Sequence, residues 1–151
     1  MNNRIILWIE DDKPLEGSIS KIEGRFSEFG YDIQWARTGI EAVEYLRNNR
    51  YDAVILDIML EPGSEELKPE GVPPYMGGVE ILKLILSDAF AVYNNSKSIP
   101  VVVVSAVSDS EIVEKVTGLL GSTSETNYLF KPVSKDIIIN TIISAIGKDN
   151  E

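Results

Sequence analysis

Four short apolar runs in this chain each stop at a residue that carries chemistry. Ile5–Ile9 gives way to Glu10-Asp11-Asp12, and Ala53–Leu56 to Asp57. Val101–Val104, four valines in a row after Pro100, ends at Ser105, and Tyr128–Phe130 ends at Lys131-Pro132. The first three runs, continuous and apolar throughout, read as strands buried on both faces, and Tyr128–Phe130 as a fifth short strand. Such strands need helices above and below them, and that requirement constrains the fold more than any single motif.

The intervening segments supply those helices. Leu15, Ile19, Ile22, Phe26 and Phe29 are spaced 4, 3, 4, 3, one face of a helix, with Gly30 following as its stop. Tyr31, Ile33 and Trp35 alternate with polar residues, the pattern of an edge strand. Thr38 with Glu41 makes a capping box for a helix carrying Ile40, Val43 and Leu46. Val79 to Tyr93 is helical in pattern and is followed by the polar link Asn94-Asn95-Ser96-Lys97-Ser98. Ser108 with Glu111 forms a second capping box, for a helix carrying Ile112, Val113, Val116, Leu119 and Leu120 and stopped by Gly121. Ser134 caps a last helix that carries Ile138, Ile139, Ile142, Ile143 and Ile146 and ends at Gly147. Its five isoleucines mark either a partner or dimer surface or a deep core. Five strands alternating with five helices predict an α/β fold, a doubly wound parallel sheet with helices on both faces. The reading is of one domain over 1–147 and a polar tail over 148–151.

The segment Glu61 to Tyr75 breaks the rhythm. It holds four of the seven prolines, two glycines and four glutamates, and nothing in it is periodic. It is about thirteen residues longer than an ordinary βα connection. Leaving from beside Asp57, it is expected to lie over or near that residue, as a surface insertion, a lid or a partner-specificity element. Its prolines make it stiff.

Residue types that are missing narrow the chemistry. The 151 residues include no cysteine and no histidine. Thiolate zinc sites, disulfides, a Ser-His triad and a histidine phosphocarrier are therefore excluded within this sequence. Fourteen basic against twenty-four acidic residues leave a net charge of −10, which disfavours direct binding to nucleic acid or an anionic membrane. No apolar run is long enough to span a bilayer, and the start is not a signal peptide. The expected location is the cytoplasm.

In open parallel sheets ligands sit at the carboxyl ends of the strands. Glu10, Asp11, Asp12, Asp57, Ser105 and Lys131 would all converge there. Carboxylates so crowded call for a cation, and hard oxygen donors in a watery site suit Mg²⁺. A carboxylate beside Mg²⁺, a hydroxyl and a lysine can receive a phosphoryl group, or itself become an aspartyl phosphate. Singly, the acids read as a polar turn or helix cap, Ser105 as a strand-end hydroxyl, Lys131 as an exposed cation and Tyr128 as core. Their joint occurrence carries the reading.

These pieces, Ile-Glu-Asp-Asp at 9–12, Leu-Asp-Ile-Met-Leu at 56–60, Val-Ser-Ala at 104–106 and Phe-Lys-Pro at 130–132, resemble the receiver domains of bacterial two-component response regulators, similar to the chemotaxis (CheY-like) single-domain type. The resemblance covers nearly the whole chain except 61–75. It implies a flavodoxin-like strand order, 2-1-3-4-5. By resemblance Asp57 is the phosphoacceptor. Glu10 and Asp11 match the acidic pair that holds Mg²⁺, with Asp12 as an extra candidate, and the Met59 main-chain carbonyl matches a further ligand. Ser105 matches the hydroxyl that bonds the phosphoryl oxygen, and Lys131 the lysine that pairs with the phosphoryl group. Pro132 matches a proline whose preceding bond is often cis, and Tyr128 the switch aromatic. Met76-Gly77-Gly78 resembles the family's turn into its third helix, with Gly77 in place of an acid.

The implied partners are a sensor histidine kinase or histidine phosphotransfer protein and a downstream protein, with a phosphorylation-dependent dimer as a further option. The chain would be a switch, catalysing only its own phosphorylation and slow dephosphorylation. Two rivals stand beside this reading. One is a pseudo-receiver, a binding module that is not phosphorylated. The other is a small phosphohydrolase or nucleotide-binding enzyme, which would be expected to carry a glycine-rich phosphate loop or an Asp-x-Asp nucleophile; strand three offers only Asp57-Ile58-Met59.

Overall fold

Five strands, β1 (Ile5–Ile9), β2 (Asp32–Ala36), β3 (Ala53–Asp57), β4 (Val101–Ser105) and β5 (Tyr128–Phe130), pair in parallel in the order β2-β1-β3-β4-β5. The structure is a computed structural model and describes residues 4–12, 16–87, 89–90 and 99–149. Between the strands run α1 (Glu16–Glu28), α2 (Gly39–Asn48), α3 (Gly78–Leu86) and α4 (Ser110–Leu120), and α5 (Lys135–Asp149) closes the chain. A single helical turn, Ser124–Asn127, precedes β5. Leu15, Tyr93 and the 94–98 link lie outside the described residues.

The three central strands explain themselves by alternation. Leu7, Ile9, Val54, Leu56, Val101 and Val103 point to one face, where they pack with α2, α3 and α4. Ile6, Trp8, Ala53, Ile55, Val102 and Val104 point to the other, against α1 and α5. All twelve are at most 4% exposed, so each strand is apolar throughout because both of its faces are covered. The isoleucine-rich α5 resolves as core: Ile138, Ile139, Ile142 and Ile146 are buried among the second set, and Ile143 packs against it. On α5, Ile137 is the large apolar residue left half-exposed.

Several boundaries differ from the sequence reading. The N-cap of α4 is Asp109, whose carboxylate accepts from the Glu111 N–H at 2.9 Å, so Ser108 is not the cap. Aspartate and serine cap equally well, and spacing alone does not choose between neighbours. The last helix runs through Gly147 to Asp149, because nothing there requires the left-handed conformation that makes glycine a stop. Ile40 and Phe29 sit at the ends of the α2 and α1 stripes and stay half-exposed. Thr38 does cap α2, accepting from the Glu41 N–H at 3.2 Å, while Glu41 reaches back to the Arg37 N–H.

The segment after β3 is packed, with one 3-10 turn at Glu65–Leu67. Its ends meet in a parallel bridge between Leu60 and Met76. Glu61 O and Pro62 O accept from the Gly39 and Ile40 N–H groups, both at 2.8 Å, so the loop turns onto the start of α2. The loop starts beside the site, where Glu61 acts electrostatically on Asp11, and from there it is drawn to the start of α2. The exposed backbone N–H groups of the α2 N-terminus offered the loop carbonyls a better destination than water.

Candidate functional site at the carboxyl edge of the sheet

Because all five strands are parallel, their carboxyl ends share one edge. There β1 delivers Glu10, β3 delivers Asp57, β4 delivers Ser105 and β5 delivers Lys131. The Lys131 ammonium donates to Glu10 Oε1 at 2.6 Å and to Asp57 Oδ2 at 2.8 Å. The Met59 N–H donates to Asp57 Oδ1 at 3.0 Å, so both oxygens of the central carboxylate are held. Glu10 and Asp57 are each 5% exposed, and Ser105 is fully buried. Ser105 Oγ accepts from the Val107 N–H at 3.0 Å, which leaves its own proton available to an acceptor. Asp11, Asp12 and Met59 lie on the solvent side. The Lys131–Pro132 peptide is cis.

The electrostatics follow from this crowding. Burial pushes the Glu10 carboxyl above its ordinary value; Lys131 opposes the shift and Asp57 adds to it. Burial also raises Asp11, helped by the neighbouring charges of Asp57, Asp12 and Glu61. Burial alone would lower the Lys131 ammonium. Its bonds to Asp57 and Glu10 outweigh that, and the net shift is upward. Glu10, Asp11 and Asp57 together carry three negative charges against one positive, a formal excess of two.

That excess and the all-oxygen donor set fit a divalent hard cation. Among the described residues, no three acidic side chains make a ready metal cage. Mg²⁺ does not need one, since it commonly binds through one or two carboxylates, keeping water and phosphate oxygens as its other ligands. The donor set therefore fits Mg²⁺.

Tyr128 is turned inward, 8% exposed, with its ring 4.8 Å from that of Phe130. Its hydroxyl is buried beside Ser105 and makes no hydrogen bond of ordinary geometry among the described residues. Burial raises the pKa of this phenol, opposed by Ser105 and reinforced by Asp57, so it lies in the field of the site.

Three features were not read from the sequence. Glu10 is an ion-pair partner of Lys131, a contact across 121 positions that no local pattern reports. Lys135 acts on Glu10 electrostatically, and its ammonium lies 5.5 Å from the Trp8 ring centre; the signal was its place four residues after Lys131, at the start of α5. Glycine at 78 is a steric necessity. A Cβ there would lie 2.4 Å from the Asp57 carbonyl oxygen and 2.6 Å from Ile58 Cα.

Comparison with known proteins bears out the receiver resemblance. No protein-family model matches the chain. In sequence it is similar to response regulator MprA of Mycobacterium sp. (strain KMS), 28% identical over 134 residues, covering 89% of this chain and 46% of the relative. It is 27% identical over 137 residues to MprA of Mycobacterium leprae, covering 91% and 48%. The chain thus spans about half the length of these curated relatives. In fold it matches the receiver domain of the Francisella response regulator 1452, with a TM-score of 0.66, 24% identity and 97% and 99% of the two chains covered. A CheY-like receiver domain protein from Methanospirillum hungatei matches with a TM-score of 0.66, 18% identity, and 97% and 96% coverage. The chain is thus similar in sequence to response regulators and shares the fold of their receiver domains, with the flavodoxin-like strand order the resemblance implies.

Proposed function

We propose that this chain accepts a phosphoryl group on Asp57 and so acts as a phosphorylation switch. One observation carries the proposal: Lys131 joins Asp57 and Glu10 at a strand edge that also carries the buried Ser105 hydroxyl. A purely structural lysine has no need of two buried carboxylates at a sheet's ligand-binding edge.

The donor is a phosphohistidine on a sensor kinase or phosphotransfer protein. An Asp57 carboxylate oxygen attacks phosphorus as the P–N bond breaks, and the imidazole leaves with a proton. Lys131 offsets the charge on the transferring oxygens, and the Ser105 hydroxyl donates to one of them. Glu10, Asp11, Asp57 and the Met59 carbonyl would hold Mg²⁺, with Asp12 as an outer candidate. Bound there, the ion would screen negative charge on the phosphoryl oxygens. Water later attacks phosphorus, releasing inorganic phosphate and restoring the carboxylate. This chemistry is the chain's own modification and its reversal, so its output is altered binding to a downstream protein in the cytoplasm. Among the described residues, no helix is long and apolar enough to cross a membrane.

The test is intact mass after incubation with Mg²⁺ and acetyl phosphate, alongside Asp57→Ala. One added phosphoryl group, absent from the variant and without Mg²⁺, is the expected result. A folded protein that takes no adduct and ignores beryllofluoride would instead be a protein-interaction module.

A further inference from the structure

The segment 61–75 has no part in the chemistry above, yet it is built as carefully as the core. Its base is closed by the Leu60–Met76 bridge, by the Leu60 N–H on Tyr75 O and by the Gly77 N–H on Leu60 O, both at 2.9 Å. One flank is fastened to α2 through Glu61 and Pro62, and Pro62 O leaves no room for a side chain at Gly39. Pro62 and Pro69 are buried. Leu67 and Val72 pack against the apolar cluster of this face of the sheet, to which α2, α3, α4 and Tyr128 all contribute. The other flank meets α4. The Lys115 ammonium reaches Glu70 O at 3.5 Å, and a Cβ at Gly71 would lie 3.3 Å from the same nitrogen. Gly71 has φ +76°, so the chain turns sharply where Lys115 meets it.

We infer that residues 61–75 form a strap that ties the end of the phosphoacceptor strand to α4 and sets the position of that helix. The ends of the strap are fixed on β3 and α3, next to Asp57. Its middle shares one apolar cluster with α4 and Tyr128. A displacement of α4 therefore has to move the strap, slide along it or break the Glu70–Lys115 contact. The helix is held from outside the sheet as well as from beneath it. This deepens the receiver reading: the strap regulates how far a change at Asp57 carries into α4, and it rests on that reading for this consequence alone.

The test begins with the unmodified protein. Amide hydrogen exchange is followed over 61–75 and 110–120 in wild type, in Lys115→Ala and in Leu67→Ala with Val72→Ala. These are surface or half-buried positions, and an unchanged unfolding transition of the β1–β3 region confirms that each variant is folded. Exchange in α4 is expected to speed up by about tenfold, the effect of losing one contact of ordinary strength. It should do so in both variants, with β1 and β3 unaffected. Unchanged α4 protection in both variants overturns the inference. Beryllofluoride then adds a second comparison. Strap and α4 should change protection together in wild type, and α4 alone should change in Lys115→Ala. Independent responses in wild type also overturn the strap. A protein that takes no phosphoryl group by mass fails the earlier reading, and the unmodified-state comparison decides the strap by itself.

Discussion

The Lys131 ammonium sits 2.6 Å from Glu10 Oε1, closer than its 2.8 Å approach to Asp57. The lysine is thus anchored by a residue that need not change when Asp57 is modified. An ammonium so held can follow a phosphoryl oxygen without losing its second partner. Under the proposed phosphorylation of Asp57, Lys131 would lose at most one of its two carboxylate contacts.

Removing that ammonium should cost stability as well as function. Lys131→Ala leaves two nearly buried carboxylates facing each other without compensation. Its unfolding free energy at pH 7 should fall by about 2 kcal/mol, at the low end for a broken buried pair because the lysine side chain keeps some solvent contact. The sign of the pH dependence follows from Glu10. A carboxyl whose pKa is raised on folding penalises the folded state above that pKa, and the penalty disappears as pH falls through it. Losing Lys131 removes the influence that opposed the rise. The stability gap between wild type and variant should therefore narrow on going from pH 7 towards pH 4. Urea unfolding at both values checks this, and a gap that widens in acid would contradict it.

Gly78→Ala should damage the site from behind. The added methyl would meet the Asp57 carbonyl oxygen and Ile58 Cα, both backbone atoms that cannot rotate away. An overpacked position of this kind costs about 1–3 kcal/mol, or about 5 °C in Tm for a domain of this size. Phosphoryl uptake should fall with it, because the β3 terminus must shift. Gly24→Ala is the matched control. It lies within α1 with nothing inside 4 Å, and should stabilise by about 0.5–1 kcal/mol. Thermal unfolding of the two variants should move in opposite directions.

These two variants also show what the sequence could and could not reveal. The central strands were legible because two-sided burial leaves no polar positions between Ile6 and Ile9 or between Val101 and Val104. Glu10, Asp57 and Ser105 were legible because each ends or follows such a strand directly, and Lys131 because it follows the short edge strand β5. Contacts set by tertiary geometry were not. Glu10 and Lys131 meet only after β1 and β5 join the same sheet, and Gly78 is constrained by a backbone that passes it twenty-one residues after Asp57. The path of 61–75 was not legible for a related reason. A non-periodic loop takes its course from hydrogen-bond partners elsewhere, here the start of α2. Asp109 in place of Ser108 is a smaller case: adjacent residues with equal capping ability are separated only by backbone conformation.

Tyr51 offers a stability test remote from the site. It is 1% exposed, its hydroxyl donates to Gln34, and burial pushes its pKa up to about 12. In the unfolded chain the same phenol ionises near its ordinary value of about 10. A folded-state pKa above the unfolded value means that the contribution to stability is fully present below about pH 10 and is lost as pH rises towards 12. Tyr51→Phe should be less stable than wild type at pH 8 by about 1 kcal/mol, the value of one hydrogen bond. That difference should shrink between pH 10 and pH 12. Urea midpoints across this range measure it, and a constant difference would show that the phenol does not titrate with folding.

The buried hydroxyl of Tyr128 makes the last prediction. An unsatisfied polar group in the interior carries a desolvation cost of about 1–3 kcal/mol, recovered when it is replaced by an apolar group of the same shape. Tyr128→Phe should accordingly raise the unfolding free energy of the unmodified protein, by about 1 kcal/mol. Tyr128→Ala, which empties a packed position beside Val103, should lower it by about 3 kcal/mol or more. The comparison separates the two properties of the side chain, since the ring supplies packing and the hydroxyl supplies none until a partner reaches it. If the hydroxyl finds that partner when Ser105 reorients toward a modified Asp57, the gain from Tyr128→Phe should vanish in the presence of beryllofluoride. Calorimetry of both forms reads the difference directly, and destabilisation by Tyr128→Phe in the unmodified protein would mean that the hydroxyl is already satisfied.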